Sequence, residues 1–99
     1  MNYQQTIQEH LRLTLLRLLA EDPNYTMNDS LLTDLTHPYG FTPSRDKVRT
    51  ELSWLKEQGL VTADDDPHIT IATLTERGAD VAQGRVTIPG IKRPSPRRG

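Results

Sequence analysis

The 99 residues contain no cysteine. That excludes disulfides, thiolate metal sites and cysteine nucleophiles. No apolar run approaches the roughly 18–20 residues of a membrane span. The N-terminus, MNYQQTIQEH, has no basic stretch followed by an apolar one, so no secretory signal is visible. A cytoplasmic protein with no membrane partner is the expectation. Catalytic constellations are missing too. His10, His37 and His68 are scattered over different elements, and there is no His-x-x-x-His pair, phosphate-binding glycine loop or nucleophile elbow. Neither an enzyme, a cofactor nor a metal site is expected.

What is present has a strong asymmetry of charge. Five of the twelve basic residues lie in 85–99, where there is no acid; residues 1–84 keep seven against all thirteen acids, a net of −6. An acidic body with a basic tail is not the usual balance of a dedicated DNA-binding domain. The length allows one domain. It divides into a folded part, 1–84, and a basic C-terminal arm, 85–99, RVTIPGIKRPSPRRG, that holds three of the seven prolines and no helical period.

The most informative stretch runs from Ser44 to Ala82. Val48, Leu52 and Leu55 make a helical core stripe that stops at Gly59, a residue suited to a left-handed C-cap. Leu60–Ala63 and Ile69–Leu74 are rich in β-branched residues and predict two strands, with Asp64-Asp65-Asp66-Pro67 as the turn. Thr75 caps a short last helix. Upstream, Asn28 or Asp29 can cap a short second helix that ends at His37-Pro38-Tyr39-Gly40. The first helix spans 4–21 and has apolar residues on two sides: Ile7, Leu11, Leu15 and Leu18 on one, Leu13, Leu16 and Ala20 on the other. The second side needs a cover. The last helix or the tail can supply it, but so small a domain has few elements left, and the expectation is a homodimer through Leu13, Leu16 and Ala20.

This order resembles the winged helix-turn-helix superfamily, through VRTELSWLKEQGLV at 48–61 and ITIATLTERGADVA at 69–82. The resemblance implies an α+β, mostly helical fold with three helices, a two-stranded wing and a short closing helix. YGFTPSRDKVRTELSWL at 39–55 and GRVTIPGIKRPSP at 84–96 are similar to small arsenical-repressor-like proteins of Mu-like phages and prophages. That implies a small regulatory protein of the host bacterial cytoplasm, without the thiolates of a metal sensor. In such folds the third helix, here 44–58, enters the major groove of double-stranded DNA. Ser44, Arg45, Lys47, Arg49, Thr50 and Lys56 are the candidate contacts, and Lys92, Arg93, Arg97 and Arg98 of the arm would add backbone contacts. Asp46 and Glu57 share the outward face and oppose phosphate. The three aspartates of the wing also oppose it. They leave an alternative open: a module for a phage or host protein partner, using the acidic wing and Trp54.

Overall fold

The computed structural model describes residues 2–95. The first helix, α1, spans Tyr3–Glu21 and begins at Asn2, whose Oδ1 accepts from the Gln5 amide at 2.7 Å. It ends where Asp22 turns to extended backbone before Pro23. A three-residue strand, β1, covers Thr26–Asn28 and runs directly into α2, Asp29–Leu35. Asn28 is the N-cap of α2, accepting from the Leu31 amide at 2.7 Å. A 3-10 turn at His37–Tyr39 leads to α3, Arg45–Glu57, capped by Ser44. Gly59 ends this segment at φ 76, the left-handed conformation that the sequence led us to expect. The strands β2, Val61–Asp65, and β3, Thr70–Leu74, precede α4, Glu76–Ala82, with Thr75 as its cap.

The sheet has three antiparallel strands in the order β1-β3-β2, with Thr26 opposite Thr73 and Thr73 opposite Thr62. Nothing in the sequence between the first and second helices predicts β1. Three residues reading Thr-Met-Asn carry no alternation from which a strand could be read. The wing turn also differs from expectation. Asp64 and Asp65 belong to the ladder, opposite Ile71 and Thr70, and the loop is closed by two hydrogen bonds between Asp66 and Ile69.

One apolar core runs through the molecule. From α1 it takes Leu11, Leu13, Leu15, Leu16, Leu18 and Leu19; from α3 it takes Val48, Leu52 and Leu55. The dimer expectation at Leu13 and Leu16 does not hold, because these side chains are 5% and 0% exposed within the single chain. Packing of α1 against α4, β3 and α2 supplies the cover that so small a domain was expected to lack. Ala20 is half-buried against the same core. The arm adds to it: Ile91 is buried and Ile88 packs alongside, while the Lys92 amide donates to the Glu9 carbonyl at 3.2 Å. Residues 85–95 therefore lie on the domain. Arg97 and Arg98 lie outside the described residues.

A helix of only seven residues such as α2 depends on its cap. Asn28→Ala should lower stability by about 1 kcal/mol. The check is a urea titration in which the midpoint falls and the slope is unchanged.

Candidate nucleic-acid interface on the third helix

Every candidate cation of α3 has an acidic partner. Arg45 grips Asp29 with two hydrogen bonds, from Nε at 3.0 Å and from Nη2 at 3.1 Å, and Nη2 also donates to the His68 carbonyl. Arg49 lies 3.4 Å from the same carboxylate, and donates to Thr70 Oγ1 at 3.3 Å and to the Asp66 carbonyl at 3.0 Å. Lys47 Nζ is 2.8 Å from Glu51, and Lys56 Nζ is 3.6 Å from Asp65. The hydroxyls have local roles: Ser44 Oγ accepts from the Lys47 amide, and Thr50 Oγ1 donates to the Asp46 carbonyl.

The two flanks of α3 are thereby tied to different parts of the fold. On one flank, Asp29 at the start of α2 is fully buried and holds Arg45 and Arg49, whose remaining donors hold the backbone of the wing loop. Burial pushes the Asp29 carboxyl up. The Arg45 guanidinium and the hydrogen bonds of Thr70 and Ser30 outweigh this and bring it below its ordinary value. Arg45 is correspondingly raised, chiefly by its hydrogen bond to Asp29. On the other flank, Glu51 is buried against α1, where Arg12 Nε donates at 2.7 Å and Gln8 Nε2 at 2.8 Å. Burial pushes this carboxyl up too, and Lys47, Gln8 and Arg12 together hold it below its ordinary value.

The Arg12–Glu51 pair extends to the arm. The Arg12 guanidinium stacks on Trp54, 3.8 Å from the ring centroid, and its Nη1 donates to the Gly90 carbonyl at 3.0 Å. Gly90 has φ 95 and lies against Trp54: a Cβ placed there would come within 2.9 Å of the indole and 3.0 Å of Arg12. Trp54 is half-buried beneath this contact. The aromatic that the sequence offered as a partner anchor has the arm of its own chain as its partner.

What reaches solvent from α3 is a mixed face. Arg45, Asp46, Lys47, Thr50, Ser53, Lys56 and Glu57 are exposed, and Arg49 is partly so. Arg45 and Arg49 converge on one carboxylate beside the wing, and Lys47 lies on the opposite flank with Glu51. In the arm, Arg93 is exposed and Lys92 half-buried, and neither joins an ion pair among the described residues.

Three residues that organise this surface, Asp29, Glu51 and Arg12, were not among the sequence candidates. The signal for Glu51 was available. On a helical projection it falls about 60° from Val48, beside Leu55 rather than on the outward face. Among the described residues no group of three metal-ligating side chains gathers, and no helix is long and apolar enough to cross a membrane.

No family model matches the chain. Solved structures share its fold. RosR of H. salinarum superposes with a TM-score of 0.62 at 21% identity, over 74% of this chain and 66% of that one. For the hsRosR-S1 complex the TM-score is 0.64 at 20% identity, over 81% and 70%. A MarR family transcriptional regulator from Streptomyces coelicolor, solved in complex with DNA, gives 0.63 at 23% identity, over 81% of this chain and 51% of that one. The chain thus spans only about half the length of that regulator. These likenesses establish a winged-helix fold. In sequence, a protein of Haemophilus influenzae is 42% identical over 79 residues, covering 78% of this chain and 76% of its own. The gp26 protein of Escherichia phage Mu is 47% identical over 89 residues, covering 90% of this chain and 92% of its own. At that identity and coverage, the chain belongs to the family of phage Mu gp26.

Proposed function

We propose that this protein is a small phage or prophage regulator that binds duplex DNA through the exposed N-terminal half of α3, with the basic arm adding phosphate contacts. Ser44, Arg45, Lys47, Arg49, Thr50 and Lys56 are the contacts from α3, and Lys92, Arg93, Arg97 and Arg98 those from the arm. The observation that carries the reading is the sharing of buried carboxylates. Arg45 and Arg49 share Asp29, and Arg12 and Lys47 share Glu51, so each cluster retains one net positive charge. The exposed N-terminal half of α3 thus presents Arg45, Lys47 and part of Arg49 to solvent while their partner carboxylates, Asp29 and Glu51, are buried. Asp46, on the same exposed half, reduces the positive charge of that surface.

Support also comes from the shared fold with a DNA-bound regulator. The arsenical-repressor-like character inferred from the sequence belongs to the proposal as an architecture without the metal-sensing thiolates. Binding as a homodimer is part of it too, with a contact surface outside Leu13 and Leu16, which the chain's own core takes up. The host cytoplasm is the compartment in which such a protein would meet DNA.

A mobility-shift titration at low salt tests it. The full chain should retard duplex DNA, and binding should weaken steeply with salt. Lys47→Ala combined with Thr50→Ala should weaken it further and lower the log–log salt slope by about 1. Arg45 and Arg49 are poor probes, since they also hold the wing. Failure to retard any phage or host duplex pool at low salt would sink the proposal, and a mass measurement in solution decides the dimer.

A further inference from the structure

Among the described residues, Arg17, Arg77, Lys92 and Arg93 join no ion pair, whereas Arg12 and Arg85 do. The cations of α3 all have a carboxylate within ion-pair distance. Of the four unpaired cations three, Arg17, Lys92 and Arg93, line one groove; Arg77 does not. It lies between the last turn of α1, the end of α4 and the arm, with a volume of about 1260 Å³. Ala20, Glu21 and Gln83 complete the part that matters here. Glu21 is the single acid of the lining, so the groove carries a net charge of +2.

Two helix ends oppose an anion there, because C-terminal carbonyls carry partial negative charge. Both ends are partly closed. The Asp22 amide donates to the Leu19 carbonyl, and the Gly84 amide to that of Val81. Among the described residues no other part gathers so many cations without an ion pair. The arm's docking on α1 creates the arrangement: Arg17 belongs to the body, and it meets Lys92 and Arg93 because Ile91 is anchored in the core.

We infer that this groove is a phosphate-binding site for a polyanion chain, in which Arg17, Lys92 and Arg93 hold successive phosphates. Two sources share that chemistry, the backbone of a nucleic acid and free polyphosphate. The site deepens the DNA reading by placing the main electrostatic anchor at the arm and α1 rather than on α3. It also adds Arg17, a residue outside the arm, to the contact set.

The full chain is titrated with a mixed-sequence duplex of about two helical turns and, separately, with sodium tripolyphosphate. Binding is followed by NMR shifts of the arginine Nε–H groups and by anisotropy of labelled duplex. Arg17→Ala should lower the salt slope for duplex by about 1, and the triple change Arg17→Ala, Lys92→Ala, Arg93→Ala by about 2–3. The triple variant should lose at least tenfold in affinity at low salt and lose the tripolyphosphate shifts, with an unchanged thermal melt. Lys47→Ala should leave tripolyphosphate binding as it was. A triple variant that melts normally and binds both ligands like the parent overturns the groove. If the parent binds tripolyphosphate at Arg17 but no duplex, the groove stands for free polyphosphate and the DNA reading fails. If duplex binding responds to Lys47→Ala and not to the triple change, the DNA reading stands and the groove is overturned.

Discussion

Gly78→Ala should destabilise the native fold by about 4 kcal/mol. A Cβ at this position would sit 2.0 Å from the Leu60 carbonyl oxygen and 2.7 Å from Leu74 Cδ1. The first contact is with backbone, which has no rotamer by which to yield. It is also a backbone already engaged, since the Leu60 carbonyl accepts from the Thr75 amide at 3.1 Å and Thr75 Oγ1 donates to the Gly59 carbonyl at 2.8 Å. The start of α4 is therefore clamped onto the turn that ends α3. One methyl group forces these segments apart, and with them the seat of Val81 and Ala82 against α1. Overpacking of this kind ordinarily costs 1–3 kcal/mol; contact with an immovable carbonyl puts this site above that, at about 4 kcal/mol. Against a total of roughly 5–15 kcal/mol for a domain, that removes from about a quarter to about four-fifths of the stability. A fall of the thermal midpoint by about 16–32 °C is the readout. A variant that melts within a few degrees of the parent would show that α4 can shift freely.

Glu51→Ala is the second large effect, with an expected loss of about 3–5 kcal/mol, the cost of removing one partner from a buried ion pair. The substitution leaves Arg12, whose side chain is 11% exposed, without its carboxylate, and removes the acceptor that orients Gln8 and Lys47. Glu51→Gln keeps the shape and should cost less, because Gln can still accept one hydrogen bond. The pair also makes an acid-stability prediction. In the folded protein the carboxyls of Glu51 and Asp29 are held below their ordinary values. Each therefore adds stability that is complete above the ordinary carboxylate range and is lost as pH falls through the depressed values. The parent should lose stability steeply on acidification below about pH 4–5. Glu51→Gln should be less stable than the parent at neutral pH and should lose less on acidification. Urea midpoints measured from neutral to acid pH check this, and equal pH slopes for the two proteins would contradict it.

The parts legible from sequence were those fixed by periodic apolar residues and by local backbone chemistry. The stripe Val48-Leu52-Leu55, the stop at Gly59 and the cap at Thr75 are where the sequence put them. The three-residue β1 was not legible, because its strand character comes from pairing with β3 and not from its own residues. The buried acids escaped for a different reason. Glu51 does project beside Leu55, but a lone carboxylate is not assigned to a core without its distant partner, Arg12, 39 positions away, and Asp29 has its own 16 positions away. The same holds for α3. Its cations were visible in the sequence as a basic flank, but their engagement with Asp29 and with the wing backbone depends on tertiary placement. The cover of Leu13 and Leu16 was open in the sequence between the last helix, the tail and a second copy, because no local pattern fixes how α4 packs back on α1.

Trp54 is the only tryptophan of the chain. A guanidinium from α1 lies over its ring, and a glycine of the arm sits against the edge of the six-membered ring. Its fluorescence is therefore a built-in gauge of whether residues 88–92 are seated. Any ligand that lifts the arm would strip Gly90 from the indole and expose the ring to water, while one that binds the seated arm would leave the emission unmoved. A single cuvette titration, with no label attached, thus separates binding that keeps the arm in place from binding that displaces it.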